Sequence, residues 1–285
     1  MLGLCLTAVK LYYPTAKLTH AIPSQDCVSV TAVASVGDDV YVLRYGVQHV
    51  EVYDAEKFAL KCHIAVPGLK YTRGLAVCPN NCCLCASNFI PGSVHRVELK
   101  AGNAAKKWSV TGRPAGLSVN KAHNLVVTCY GANKLQEYTT HGSLVREICL
   151  KDAGVTYPRH AVQLSSGDYA VSHGKSQGGV SVVGVDGKVV QRYGQSVTSE
   201  GGQMKFPKSL AVTKKDDILV ADHGNNRFLL IKRSTGCIRV EEMILPVVRG
   251  MKGPMAVCLD ESRGRLYVGE FVAEHRLLVF DGVAV

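Results

Sequence analysis

One valine position recurs along this chain, and its period restricts the fold more than any other feature. Val33, Val77, Val119, Val162, Val212 and Val257 stand 44, 42, 43, 50 and 45 residues apart. The clearest copy of the surrounding pattern spans residues 205–244. An apolar strand (209–213) leads to a charged hairpin tip (214–217) and a second strand (218–221). A polar connection (222–226), a third strand (227–232), a Ser-Thr-Gly turn and a fourth strand (238–244) follow. Four short strands make a meander, and a period near 45 residues is that of propeller blades.

The other copies align on the same frame. ILVADHGNNRF (218–228) matches VYVLRYGVQHV (40–50), VVTCYGANKL (126–135) and, with one insertion, LYVGEFVAEHRL (266–277). The fourth copy, SHGKSQGGV (172–180), departs furthest, and GQSVTSEGGQ (194–203) accounts for the single long spacing. The blades are therefore read as 27–67, 70–111, 113–151, 156–194, 205–246 and 250–285. The last stops after three strands, and TAKLTHAIP (15–23) resembles the fourth strand of the first copy, KFALKCHIAVPG (57–68). Residues 18–22 are predicted to supply the missing strand and clasp the ring, which leaves no blade with an unpaired edge. The expected fold is all-β, a single domain over 15–285. It is a six-bladed β-propeller of four-stranded antiparallel blades, closed by an N-terminal strand that completes the last blade. Residues 1–14 are left over as a segment or linker. LTAVKLYY (6–13) within them alternates like a strand but has no assigned place.

Composition excludes several classes. With 47% hydrophobic and 20% charged residues the chain can bury a core, and no apolar run approaches the roughly 18 residues of a membrane span. No secretory leader is expected from MLGLCLTAV, which lacks a basic start and a cleavage motif. Eleven cysteines without disulfide-like spacing read as small core hydrophobes in a reducing compartment, so a cytoplasmic location is expected. Cys82-x-x-Cys85 has no second pair to complete a zinc site, and strand residues three apart point to opposite faces. No metal or other cofactor is expected. No phosphate-binding loop, nucleophile elbow or His-Glu-x-x-His helix occurs, and GKSQGG (174–179) lacks the spacing of the first. The chain is not expected to be an enzyme.

YGQSVTSEGGQMKFPKSLAVTKKDDILVADHGNNRFLLI (193–231) closely resembles an NHL repeat. The shared features are a Gly-rich lead, Phe-x-x-Pro, an apolar strand, Val-Ala-Asp and Asn-Asn-Arg. The sixth copy is a fair match and the first four are weak. The resemblance implies a six-bladed propeller. It also implies the context of tripartite-motif proteins, in which such propellers bind RNA or recruit protein substrates for ubiquitin transfer. The RING spacings of those ligases do not occur in this chain. Some related propellers are metal-dependent lyases or lactonases, for which His160, His173 and His223 are the residues that would have to converge.

Propeller loops sort by face. Connections from fourth to first strand and from second to third strand share the top. Assigned there are Arg44, Lys70, Arg73, Arg113, Lys134, Arg159, Lys175, Lys205, Lys208, Arg227, Arg249, Lys252 and Arg276, against Asp222, Glu270, Glu274 and Glu200. Arg96 is a further candidate. The bottom hairpins hold a small acidic excess, so nearly all of the formal +10 charge falls on the top. Tyr45, Tyr71, Phe89, Tyr130, Tyr157, Phe206 and Phe271 interleave with it, as do His160, His173 and His223. Cations neutralise phosphate while flat rings stack on bases. The expected function is a non-catalytic module for single-stranded or stem-loop RNA. The alternative is an acidic protein partner on the same face. With no helix to enter a major groove, duplex DNA is not expected, and the chain is taken as a monomer. Asp222 and Arg227 are read as a structural ion pair of the repeat.

Overall fold

The computed structural model describes residues 9–12, 16–24, 26–99, 105–175, 178–194, 202–233, 239–244, 252–271 and 274–283. They form a six-bladed β-propeller. Blade one contains Val30–Val36, Asp39–Arg44, His49–Asp54 and Leu60–Ala65. Blade two contains Thr72–Cys78, Cys83–Asn88, Ser93–Glu98 and Ala105–Ser109. Pro114–Val119, Leu125–Cys129, Lys134–Tyr138 and Leu144–Cys149 make blade three. Blade four, the most divergent in sequence, is a regular sheet of His160–Gln163, Tyr169–Gly174, Gly178–Val183 and Val189–Tyr193. Blade five has Pro207–Val212, Ile218–Asp222, Arg227–Lys232 and Arg239–Ile244, and blade six has Pro254–Asp260, Arg265–Glu270 and Leu277–Asp281. Among the described residues the one helical element is a 3-10 turn, His223–Asn225, inside the polar connection of blade five. None of these elements is a helix long and apolar enough to cross a membrane.

The expected clasp is present. Strand Lys17–Ile22 pairs antiparallel with Leu277–Asp281, with Leu18 opposite Phe280 and Ile22 opposite Leu277. The leftover segment also has a place. Val9–Tyr12 pairs in parallel with Arg239–Ile244 and adds a fifth strand to the outer edge of blade five.

The apolar runs of the second and third strands follow from burial on both faces. In Ile218–Asp222, Ile218 and Val220 face blade four, while Leu219 and Ala221 face blade six. Leu229 and Ile231 alternate with Phe228 and Leu230 in the same way. Each of the six apolar clusters lies between two neighbouring blades, including the seam between blades six and one. Every fully buried Leu or Phe in them contributes roughly 1.5–3 kcal/mol.

The first strands surround a central cavity of about 630 Å³. Glycines allow those strands to converge: a Cβ on Gly74 would lie 2.8 Å from the Leu117 amide nitrogen, and one on Gly116 would overlap Arg159 and His160. In five blades the first strand shifts register near its start, at Val30/Ala32, Thr72/Leu75, Pro114/Gly116, Pro207/Leu210 and Pro254/Ala256. Such bulges re-aim one side chain. That residue decides what lines the mouth of the cavity.

Candidate functional site

The pairings make Thr72, Pro114, Pro207 and Pro254 equivalent residues, followed in the chain by Arg73, Ala115, Lys208 and Met255, and in blade four Arg159 stands just before the first paired residue, His160. Three of the five are cations. Arg73, Arg159 and Lys208 all line the cavity, and none has an ion-pair partner among the described residues. Burial lowers the pKa of Arg73, and it lowers that of Arg159 too. Lys208 is pushed down to about 7, first by burial and then by Arg159 and Arg73. Bringing three cations together out of water without an acid is costly, and it makes this spot strongly attractive to an anion.

Aromatic rings hold the guanidinium groups in place. Arg73 lies 5.5 Å from the Tyr45 ring centre and 5.6 Å from that of Phe89. Arg113 lies 5.7 Å from Phe89, and Arg159 sits between Tyr130 at 5.3 Å and Phe206 at 5.7 Å. Ring pairs complete the chain: Tyr45–Tyr71 at 6.5 Å, Phe89–Tyr130 at 5.8 Å and Tyr130–Tyr157 at 5.2 Å, with the Lys175 ammonium 4.1 Å over Tyr157. An alternating arc of cations and rings thus runs from blade one to blade five on the top face. Each contact contributes about 0.5–1 kcal/mol at exposed sites and more where water is excluded. Tyr157 and Phe206, each preceding a proline, hold φ at +53° and +49°. Such conformations cost on the order of 1–3 kcal/mol for a bulky residue, and strain of this kind collects at binding sites.

Other expected residues surround the arc. His223 is half-buried next to Lys208, with its ring 5.8 Å from that of Phe271. Burial and Lys208 lower its pKa. Lys70, Lys205 and Lys252 are exposed in loops of the same face. Arg249 lies outside the described residues.

Four expected site residues are held in contacts within the protein. Arg44 is 2% exposed; its Nε contacts both Glu51 oxygens at 2.8 and 2.9 Å, and Nη1 donates to the His275 carbonyl at 2.9 Å. It ends the second strand of its blade, at the position where Asp222 and Glu270 end theirs, and it tethers the blade. Lys134 occupies the position of Arg227 and pairs with Glu147 at 2.7 Å. His173 is buried 2.8 Å from Ser181 Oγ, and burial lowers its pKa to about 4. His160 donates to the Leu117 carbonyl at 3.1 Å and accepts from the Leu210 amide at 3.1 Å, stitching blades three, four and five together. Arg96, the further candidate, lies buried within Ser93–Glu98 and pairs with Glu98 at 2.9 Å. Asp222 and Arg227 pair at 2.8 Å, and Asp222 also accepts from the Lys205 amide at 2.7 Å. A linear alignment does not distinguish cations paired with a carboxylate from those without one among the described residues.

The three histidines do not gather as ligands. Among the described residues, the His, Cys, Asp and Glu side chains that come together are His49, Glu51 and His63, on blade one and away from the cavity.

No family model and no curated protein matches the chain. Solved structures do. Hydrazine synthase from Kuenenia stuttgartiensis is similar at 17% identity and TM-score 0.66, over 92% of this chain and 98% of that one. Virginiamycin B lyase from Staphylococcus aureus aligns at 14% identity and TM-score 0.64, covering 90% and 82%. The WD40 β-propeller domain of Doa1 aligns at 13% identity and TM-score 0.63, covering 93% and 96%. They share the propeller with this chain. At such identities the likeness extends to the fold alone.

Proposed function

We propose that this chain is a non-catalytic binding module of the NHL type whose top face holds single-stranded or stem-loop RNA. The observation that carries the reading is the cluster of Arg73, Arg159 and Lys208 at the mouth of the central cavity, without acidic partners among the described residues. Phosphate oxygens suit these cations, and Tyr45, Tyr71, Phe89, Tyr130 and Tyr157 offer ring faces for bases. Tyr71 is 44% exposed and Phe206 37%, so both present rings to solvent. His160 and His173 bridge neighbouring strands, and His223 packs beside Lys208 and Phe271.

The test is a titration of the purified chain with a random RNA pool across a salt series. Three neutralised phosphates give a log–log slope of about −2, at roughly −0.7 each. Undetectable affinity at low salt overturns the reading. A nuclease-insensitive protein partner that depends on Arg73 and Arg159 would favour the second reading, an acidic protein on the same face.

Lys208 adds a pH dependence. Its folded pKa of about 7 lies below the ordinary 10.5, so bound phosphate, which favours the ammonium, takes up a proton above neutrality. Affinity is expected to fall by roughly tenfold between about pH 6 and about pH 9, the equivalent of one charged hydrogen bond. Arg73 and Arg159 face Lys208 and repel its charge, and His223, whose own pKa Lys208 lowers, lies beside them. For the unliganded fold the sign is opposite: the native state binds fewer protons across this window, so stability rises with pH between the two pKa values. Lys208→Arg keeps the charge and is expected to bind RNA without the decline.

A further inference from the structure

Blade one carries a second polar cluster that the top face does not use. His49 and Glu51 lie two residues apart on the third strand, on one face of the sheet, and His63 on the fourth strand stands directly opposite Glu51. One potential ligand atom from each lies within 4.8 Å of the others, and the two imidazole centroids are 4.4 Å apart. We propose that His49, Glu51 and His63 bind one divalent transition-metal ion of the zinc type.

The donor set fits that class. Two imidazoles and a carboxylate suit zinc and its borderline neighbours and leave a fourth position open. Bonds of about 2.1 Å in a tetrahedral site put ligand atoms roughly 3.4 Å apart. His63 is exposed on the outer strand, so a turn of its ring draws the three together. Glu51 is already aimed. Arg44 Nε donates to both of its oxygens, and the Tyr53 hydroxyl donates to one at 3.0 Å. Outer partners of this kind fix a ligating carboxylate and tune its basicity. A bound ion would join the two outer strands of blade one beside the loop that leads from the closing strand.

The full chain titrated with zinc chloride, followed by calorimetry, tests the site. One equivalent is expected. His63→Ala should weaken binding beyond the 10–100-fold typical of losing an outer partner. His49→Gln should do the same, and circular dichroism confirms that both variants fold. Because the chain has eleven cysteines, cobalt(II) substitution identifies the ligands: imidazole and carboxylate give no thiolate charge-transfer band. Absence of binding, equal affinity in the folded His63→Ala variant, or a thiolate band each overturns the proposal. Zinc should also raise the Tm of the wild type and leave that of His63→Ala unchanged.

Discussion

The double variant Arg73→Glu/Arg159→Glu is expected to lose at least about a hundredfold in RNA affinity. Each substitution removes a charged contact contributing about 1.5–3 kcal/mol and places an anion where a phosphate would sit. The fold should tolerate the change, because neither arginine has a carboxylate that would be left orphaned among the described residues. What is lost is packing over Tyr45, Phe89, Tyr130 and Phe206, and one donation from Arg159 Nε to the Gly174 carbonyl at 3.3 Å. Lys188→Glu is a bottom-face control that carries half of this change in net charge, since Lys188 lies on a bottom hairpin with an 86% exposed side chain. Fluorescence anisotropy at fixed salt reads both. Equal losses in control and double variant would mean that net charge, not the channel mouth, governs binding.

Asp222→Ala is expected to destabilise the protein by about 3–5 kcal/mol, the usual cost of breaking a buried ion pair from one side. Asp222 is fully buried and accepts from the Lys205 amide at 2.7 Å, Asn225 Nδ2 at 2.7 Å and Arg227 Nε at 2.8 Å. Its loss removes the carboxylate from Arg227 and unpins the loop that carries Phe206 and Lys208. Urea denaturation should show a lower midpoint, and RNA binding by the folded fraction should weaken as well. Asp222→Asn retains an acceptor and should fall between the two. A midpoint shift without any effect on binding would separate the blade's stability from the loop's aim.

These two experiments probe different kinds of information in the chain. The blades were legible because strands buried on both faces become unbroken apolar runs, such as Ile218–Ala221 and Phe228–Ile231, recurring at a fixed period. The clasp was legible for another reason: the last copy lacks its fourth strand, and residues 15–23 resemble that strand of the first copy. Val9–Tyr12 was not, because a parallel strand joins its partner without a local turn that would announce the pairing. The basic face could be read from loop positions, but not the roles within it. Arg44 and Arg73 look alike in sequence, yet one ends a second strand with its side chain on the Glu51 carboxylate and the other begins a first strand at a bulge. Which cation is neutralised depends on partners such as Glu51 and Glu147, which only the register brings into reach. The convergence of Arg73, Arg159 and Lys208 likewise needs the ring. They occupy equivalent positions of three separate copies, and nothing in a linear alignment says that those positions meet.

The double attachment of the N-terminal segment sets an order of assembly. Residues 9–12 need blade five, whereas 17–22 need residues 277–281, about 260 positions further along the chain. During synthesis the first latch has its partner before the second exists. Docking 9–12 on blade five would hold 17–22 close to where blade six must form, which shortens the loop left to close and its entropic cost. Until residues 277–281 emerge, the ring remains an open arc with bare strand edges, the state most prone to pairing with another chain.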